Sequence, residues 1–310
     1  MTNESLITKY RPDAFDLVVG HESVLGALQR AIAADTCPHT YLFTGPSGIG
    51  KTTLARIVAD ELGAEVLEFD AASNSGVDDI RELIELGQHM SLSGQARKMI
   101  LIDEVHRLSA NAFDALLKAI EEPPAHLYFA LCTTEGQKLK ETISSRCYHV
   151  KLQALKDNEI ETLLLAVCEL EGWDINGDVL SLVVRAATGQ PRKALAALQA
   201  VHDAPSKEEA KRIISLQDTS EPVQELLRFI VSGKQSWKLL RPIIARIDND
   251  AFEDAAIGAA RYIMGAMMNE DDDAKAAKLW GCLDALVFPN SSYDKKATFI
   301  AAIGRMMWAQ

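Results

Sequence analysis

The stretch from Gly45 to Thr52 constrains this chain more than any other. Gly45, Pro46, Ser47, Gly48, Ile49, Gly50, Lys51 and Thr52 fit the spacing G-x-x-x-x-G-K-[ST]. The motif lies between a short apolar run, HTYLFTG (39–45), and a segment with helical periodicity, TLARIVADELG (53–63). Glycines let the backbone turn closely enough for its N–H groups to converge on phosphate oxygens. The lysine neutralises charge at the β and γ positions, and the threonine hydroxyl serves Mg²⁺. The motif predicts a strand, a phosphate-binding loop and a helix. ATP and Mg²⁺ are the cofactors, and the residues from Gly45 to Thr53 surround the phosphates.

The segments that follow alternate between strand and helix, the pattern of a parallel α/β sheet. EVLEFDA (65–71), KMILIDE (98–104) and HLYFALCTT (126–134) read as strands. SNSGVDDIRELIELGQHM (73–90) reads as a loop and then a helix. SANAFDALLKAIEEPP (109–124) reads as a helix stopped by two prolines. The second of these strands carries Asp103 and Glu104 at its C-terminal end. Beside a P-loop, Asp103 is placed to hold Mg²⁺ through its water shell, and Glu104 to orient and polarise an attacking water.

Beyond Val150 the strand pattern fades. Three short helices are predicted up to about residue 203, and 203–210 is polar with a possible helix start at its end. Segments at 221–233, 251–268 and 276–288 again read helical. The apolar residues, 48% of the 310, suffice for real cores, but no run reaches the roughly 20 residues that cross a bilayer. The N-terminal MTNESLITKY lacks the features of a signal peptide, so the expected location is the cytoplasm, away from membranes. Five cysteines without a C-x-x-C pair predict neither disulfides nor zinc. The net charge of −12 argues against a protein coated in nucleic acid but leaves room for a local basic site.

Taken together, Lys9-Tyr10-Arg11-Pro12, the P-loop, Asp103-Glu104-Val105-His106, Thr133-Thr134, Ser145-Arg146-Cys147 and Gly189-Gln190-Pro191-Arg192 resemble the clamp-loader branch of the AAA+ ATPases. The likeness is strong from about residue 6 to residue 200 and much looser beyond. It implies an α/β P-loop AAA+ domain with a parallel sheet (1–153), a small helical lid domain (154–215) and a helical collar or oligomerisation domain (216–310). It further implies an ATP hydrolase acting within a pentameric assembly of clamp-loader subunits. ATP binding there opens a sliding clamp and fits primer–template DNA, and hydrolysis releases the closed clamp on DNA during replication.

Carried over by position, the resemblance makes Thr134 the sensor 1 residue, Arg146 the arginine finger offered to a neighbouring subunit, and Arg192 the sensor 2 residue. Tyr10, Arg11, Val18 and Val19 match the segments around the adenine. Each has a plainer reading. Thr134 suits a strand end, Arg146 a surface salt bridge and Arg192 a solvated helix start. Tyr10 and Arg11 suit a structural arm, and Val18 and Val19 suit core packing. Arg81, Arg107, Ser109 and Lys118 fall where this branch meets DNA phosphates, although a solvated surface role fits any one of them. Leu86 and Met90 are the candidates for clamp contact.

Two departures stand out. The zinc module that bacterial members usually carry after the P-loop helix is missing, since Gly63-Ala64-Glu65 leads directly into the next strand. A long C-terminal extension is expected to be absent as well, and the two together lead to the expectation of a compact, phage-like subunit. Two other readings compete: a branch-migration type of AAA+ DNA motor, and a non-hydrolysing structural subunit of a clamp loader. The first expects a basic C-terminal domain, against the acidic run 269–273. The second expects lost P-loop or carboxylate residues, against the intact Lys51, Thr52, Asp103 and Glu104.

Overall fold

Among the described residues, five strands are β1 (Thr40–Thr44), β2 (Ala64–Asp70), β3 (Arg97–Asp103), β4 (Leu127–Thr133) and β5 (Tyr148–Lys151). They form one sheet in the order β2-β3-β4-β1-β5, with every pairing parallel. The computed structural model describes residues 4–34, 36–89, 96–204, 206–217 and 236–246, with isolated positions between 225 and 303. Two compact units emerge, residues 1–174 with 184–199, and residues 175–183 with 200–310.

The sheet belongs to the first unit, and its composition follows from burial on both faces. β4 is buried along its whole length, and β3 from Lys98 to Ile102. Successive side chains of a strand point to opposite faces, so a sheet covered on both sides needs apolar residues at adjacent positions. Tyr41, Phe43, Met99, Leu101, Tyr128, Ala130 and Cys132 face one core, shared with Leu25, Leu28, Leu54, Ile57 and Val58. The alternate residues Leu42, Ile100, Ile102, Phe129 and Leu131 face the other, with Ile80, Leu83, Leu116 and Ile120. The helices on the first face are α2 (Glu22–Ala33) and α3 (Lys51–Glu61), and those on the second are α4 (Val77–Gln88) and α5 (Ala110–Glu121). They follow a short α1 (Leu6–Lys9).

Most predicted segments appear within one to four residues of their expected ends, and several features differ, among them α2, for which no helix is predicted above. β5 is absent from the sequence reading because it is an edge strand whose only buried residue is Val150. Glu104 leaves the strand on which it was expected: it adopts a left-handed conformation (φ 47°, ψ 44°) and opens a 3₁₀ turn, Val105–Arg107. A helix over Trp237–Ala245 falls within the region expected to be helical, although no segment is singled out there. Its Pro242 obscures the period, yet Leu240, Ile243 and Ile244 are buried on one side.

After β4 come α6 (Glu141–Ser144), α7 (Asp157–Glu171), α8 (Gly177–Ala187), α9 (Pro191–Val201) and α10 (Lys207–Gln217), with Trp237–Ala245 as α11. The helical segments expected at 221–233, 251–268 and 276–288 lie largely outside the described residues, as does Met90. Among the described residues, no helix is long and apolar enough to cross a membrane.

Phe129 is fully enclosed at the centre of the sheet, beneath α4 and α5. Phe129→Ala is expected to remove about 3–5 kcal/mol of stability, the usual result when a buried ring leaves a cavity. Urea unfolding followed by circular dichroism checks this through the midpoint shift.

Candidate nucleotide-binding site

The phosphate loop leaves the C-terminal end of β1 and turns into α3. Its glycines are there for two different reasons. Gly45 (φ 149°) lies so close to the segment after β5 that a Cβ would stand 2.5 Å from the carbonyl oxygen of Leu152. Gly50 (φ 103°) has open space around it, so its requirement is conformational. Gly50 is the N-cap of α3, and the first N–H groups of that helix have no partner within the helix and face an anion-binding position.

Lys51 is 6% exposed and folds back over the loop, where its Nζ donates to the carbonyl oxygens of Gly45 (3.0 Å) and Pro46 (2.8 Å). Burial pulls its ammonium below the ordinary lysine range. The Glu104 and Asp103 carboxylates oppose that shift, and the Arg192 guanidinium adds to it. The cation is thus held partly desolvated, with no carboxylate of the described residues in direct contact, a state that a phosphate would relieve.

The register of the sheet brings the carboxylates to this loop. β4 separates β1 from β3, with Thr44 opposite Thr133 and Ile102 opposite Leu131. Asp103 therefore ends β3 at the level of the loop, and its Oδ2 accepts a 2.9 Å hydrogen bond from the Thr52 hydroxyl. Its Oδ1 accepts from the backbone N–H of Glu104 at 2.9 Å. The pair Thr52 and Asp103 offers hard oxygen donors and no sulfur or imidazole. That set suits Mg²⁺, which keeps several waters and takes further oxygens from phosphates.

The turn at Glu104 aims its carboxylate at the end of β4. Glu104 Oε2 accepts from the Thr134 hydroxyl (3.2 Å) and the Thr134 N–H (3.4 Å). His106 Nδ1 stands 3.3 Å from the same oxygen.

A cavity of about 260 Å³ opens above the loop. Its walls include Tyr10, Arg11, Val18, Val19, the residues from Ser47 to Thr53, Asp103, Glu104 and Arg192. Thus the N-terminal segment, P-loop, β3 carboxylates and start of α9 converge on one cavity. Arg192 approaches closely, with its N–H 3.3 Å from the Gly48 carbonyl oxygen. Val18 lines the cavity and also packs against the core. Tyr10 is fixed from behind, its hydroxyl donating to Glu171 Oε1 at 2.7 Å, where Lys9 also binds at 2.7 Å.

The sequence reading missed Ile7, Leu17, His21, Leu163 and Leu195, which line the same cavity. The apolar ones carry ordinary helical spacing, and only the fold reveals that they flank a cavity rather than fill a core.

Arg146 lies elsewhere. It precedes β5, and Tyr148 pairs with Tyr41 near the start of β1. Arg146 is therefore at the end of the sheet where strands begin, whereas the P-loop leaves the end where they finish. Its guanidinium binds the Thr142 carbonyl oxygen (2.6 Å) and Glu121 (2.9 Å) at the surface.

The four residues considered for DNA are all exposed. Arg81 pairs with Asp78 at 3.1 Å, Arg107 closes the 3₁₀ turn, and Lys118 sits in the last turn of α5. Ser109 caps α5, its hydroxyl accepting from the Ala112 N–H at 3.3 Å. Leu86 is 52% exposed on α4.

The desolvated state of Lys51 makes a specific prediction. Lys51→Met keeps the length of the side chain and removes a charge that the fold holds at a cost. Its melting temperature without nucleotide should match or exceed that of the parent. The stabilisation that Mg²⁺-ATP confers on the parent should disappear, and paired thermal melts with and without nucleotide check both halves.

Comparison with known proteins agrees with this geometry. Residues 65–156 match the family model described as DNA polymerase III, delta subunit, and residues 1–90 match the Rad17 P-loop domain. The chain is 38% identical over 220 residues to DNA polymerase III subunit gamma/tau of Mycobacterium tuberculosis, covering 63% of this chain and 38% of that one. It is 39% identical over 219 residues to the tau subunit of Escherichia coli, covering 63% and 34%. It is 33% identical over 246 residues to the gamma subunit of Buchnera aphidicola, covering 71% and 66%. The chain therefore spans only about a third of the length of the first two relatives. Among solved structures, the Thermotoga maritima RuvB Holliday junction branch migration motor superposes with a TM-score of 0.59 at 21% identity, over 83% of this chain and 91% of that one. That likeness speaks to the fold alone. The chain belongs to the clamp-loader family of AAA+ P-loop proteins.

Proposed function

We propose that this chain is an ATP-hydrolysing subunit of a DNA sliding-clamp loader. The observation that carries the reading is the 2.9 Å contact between Thr52 and Asp103, with Glu104 beside Thr134 at the mouth of the same cavity. Bound Mg²⁺ would supply charge neutralisation across the terminal phosphates. Thr52 and Asp103 position that ion. Lys51 and the N–H groups of the loop hold phosphate oxygens, and Glu104 orients the attacking water. Thr134 holds Glu104, Arg192 contacts the nucleotide from α9, and Tyr10, Arg11, Val18 and Val19 enclose the base.

Arg146 completes the site of a neighbouring subunit in this account. Its place at the far end of the sheet keeps it from its own cavity, and arginine suits a trans contact because its charge is permanent and its fork matches phosphate oxygens. Leaving Glu121 costs little, because an exposed ion pair contributes roughly 0.2–1 kcal/mol. Residues 1–153 then act as the ATPase domain, 154–215 as the lid and 216–310 as the collar of a pentameric cytoplasmic assembly. ATP binding aligns subunits around an opened clamp and primer–template DNA, and hydrolysis releases the closed clamp. Arg81, Arg107, Ser109 and Lys118 are the DNA candidates, and Leu86 with Met90 the clamp candidates. The intact Lys51, Asp103 and Glu104 favour this reading over a non-hydrolysing structural subunit.

Mixing two defective variants tests the shared site. Arg146→Ala should bind ATP normally yet hydrolyse it at least ~10³-fold more slowly in the assembly. Lys51→Met should be equally inactive. A mixture of the two should regain turnover, because some interfaces then join an intact P-loop to an intact Arg146. Normal turnover by Arg146→Ala alone, or no recovery in the mixture, contradicts the assignment.

A further inference from the structure

His106 is a buried side chain whose two ring nitrogens both face charged partners, and the roles set out above leave it without one. It lies in the 3₁₀ turn after β3, with its side chain 8% exposed. Nδ1 is 3.0 Å from the hydroxyl of the fully buried Thr133 and 3.3 Å from Glu104 Oε2. Nε2 is 3.3 Å from Glu135 Oε1. Glu135 is itself tied down twice. Its N–H donates to Thr133 Oγ1 at 3.0 Å, and its carboxylate pairs with Lys138, which holds it below the usual carboxylate range.

We propose that His106 is a positioning residue for Glu104, acting through Nδ1 and held in place by Thr133 and Glu135. The inference rests on the ATPase reading above. Among the described residues, the Glu104 carboxylate makes its contacts through Oε2 at 3.2–3.4 Å, longer than the usual optimum for such bonds. Contacts of that length align a carboxylate without locking it. Two of the three come from Thr134, the residue that directly follows β4. The third comes from a ring whose opposite edge is braced by a separate carboxylate. Glu104 is thereby aimed from two directions, and losing either one frees a rotation about its side-chain bonds.

A purely space-filling residue here needs no second polar edge. Burying one between Glu104 and Glu135 is costly unless the ring answers them with hydrogen bonds. The side-chain amide of asparagine places a nitrogen close to where histidine carries Nδ1. Asn at this position should therefore keep the contact to Glu104 while losing the one to Glu135.

The test measures ATP turnover by the full chain, together with the subunits that copurify with it, for the parent, Glu104→Gln, His106→Ala, His106→Asn and the double variant Glu104→Gln/His106→Ala. Misplacing a reacting group costs turnover far more than binding. His106→Ala should therefore lower kcat about 10-fold and leave the KM for ATP within about twofold. His106→Asn should recover most of that loss, and His106→Ala should change nothing further in the Glu104→Gln background. A kcat for His106→Ala within twofold of the parent overturns the proposal, and so does a loss that Asn fails to recover or that persists undiminished without Glu104. A parent that turns over no faster than Glu104→Gln overturns the ATPase reading itself, and the inference with it.

Discussion

The hydrogen bond from the Thr52 hydroxyl to Asp103 Oδ2 joins two parts of the chain that are 51 residues apart. On one side it fixes the start of α3, and with it the phosphate loop. On the other it fixes the end of β3, and with it the turn that carries Glu104. Both groups are hard oxygen donors of the kind that suits Mg²⁺, so in the proposed reading one contact sets the distance between the part of the site that would bind phosphate and the part that would activate water. The contact is possible because β4 lies between β1 and β3 in register, placing the ends of all three strands at one level. The chemistry thus depends on sheet order, which depends in turn on two apolar faces.

Those faces make the site rigid where rigidity is needed. β3 and β4 are clamped between α3 on one side and α4 with α5 on the other, and their residues divide between two cores by simple alternation. Side chains that extend from the ends of such strands inherit their precision. The walls of the cavity are assembled differently. Ile7, Tyr10, Leu163 and Leu195 come from short or separate helices, joined by polar ties such as Tyr10 to Glu171 and by the approach of Arg192 to Gly48. A site with a rigid floor and a jointed wall can bind phosphate firmly while its rim responds to what occupies it.

The legible and illegible parts of the sequence divide along physical lines. The P-loop, β1, β3 and β4 could be read because burial on both faces imposes continuous apolar runs and because the loop needs glycine at fixed places. β5 could not, since an edge strand with one buried residue, Val150, has no such signature. Asp103 and Glu104 were visible as a pair, but the left-handed turn that separates their directions was not. His106 was likewise visible beside them. Its neighbours Thr133 and Glu135 are distant in sequence and meet it only through sheet register. Leu163 and Leu195 carried the spacing of core residues, and nothing local distinguishes a cavity wall from a core. Arg146 needed the direction of β5 before its remoteness from its own P-loop could be seen.

The central claim is that this ATP site is completed by assembly and serves to report it. Steady-state ATPase measured on the assembled complex, with sliding clamp and primed DNA added separately and together, tests it most directly. The account predicts low turnover alone and a marked rise only when clamp and primed DNA are both present. Turnover that is equally fast without them, or that rises with DNA alone as strands separate, would contradict it.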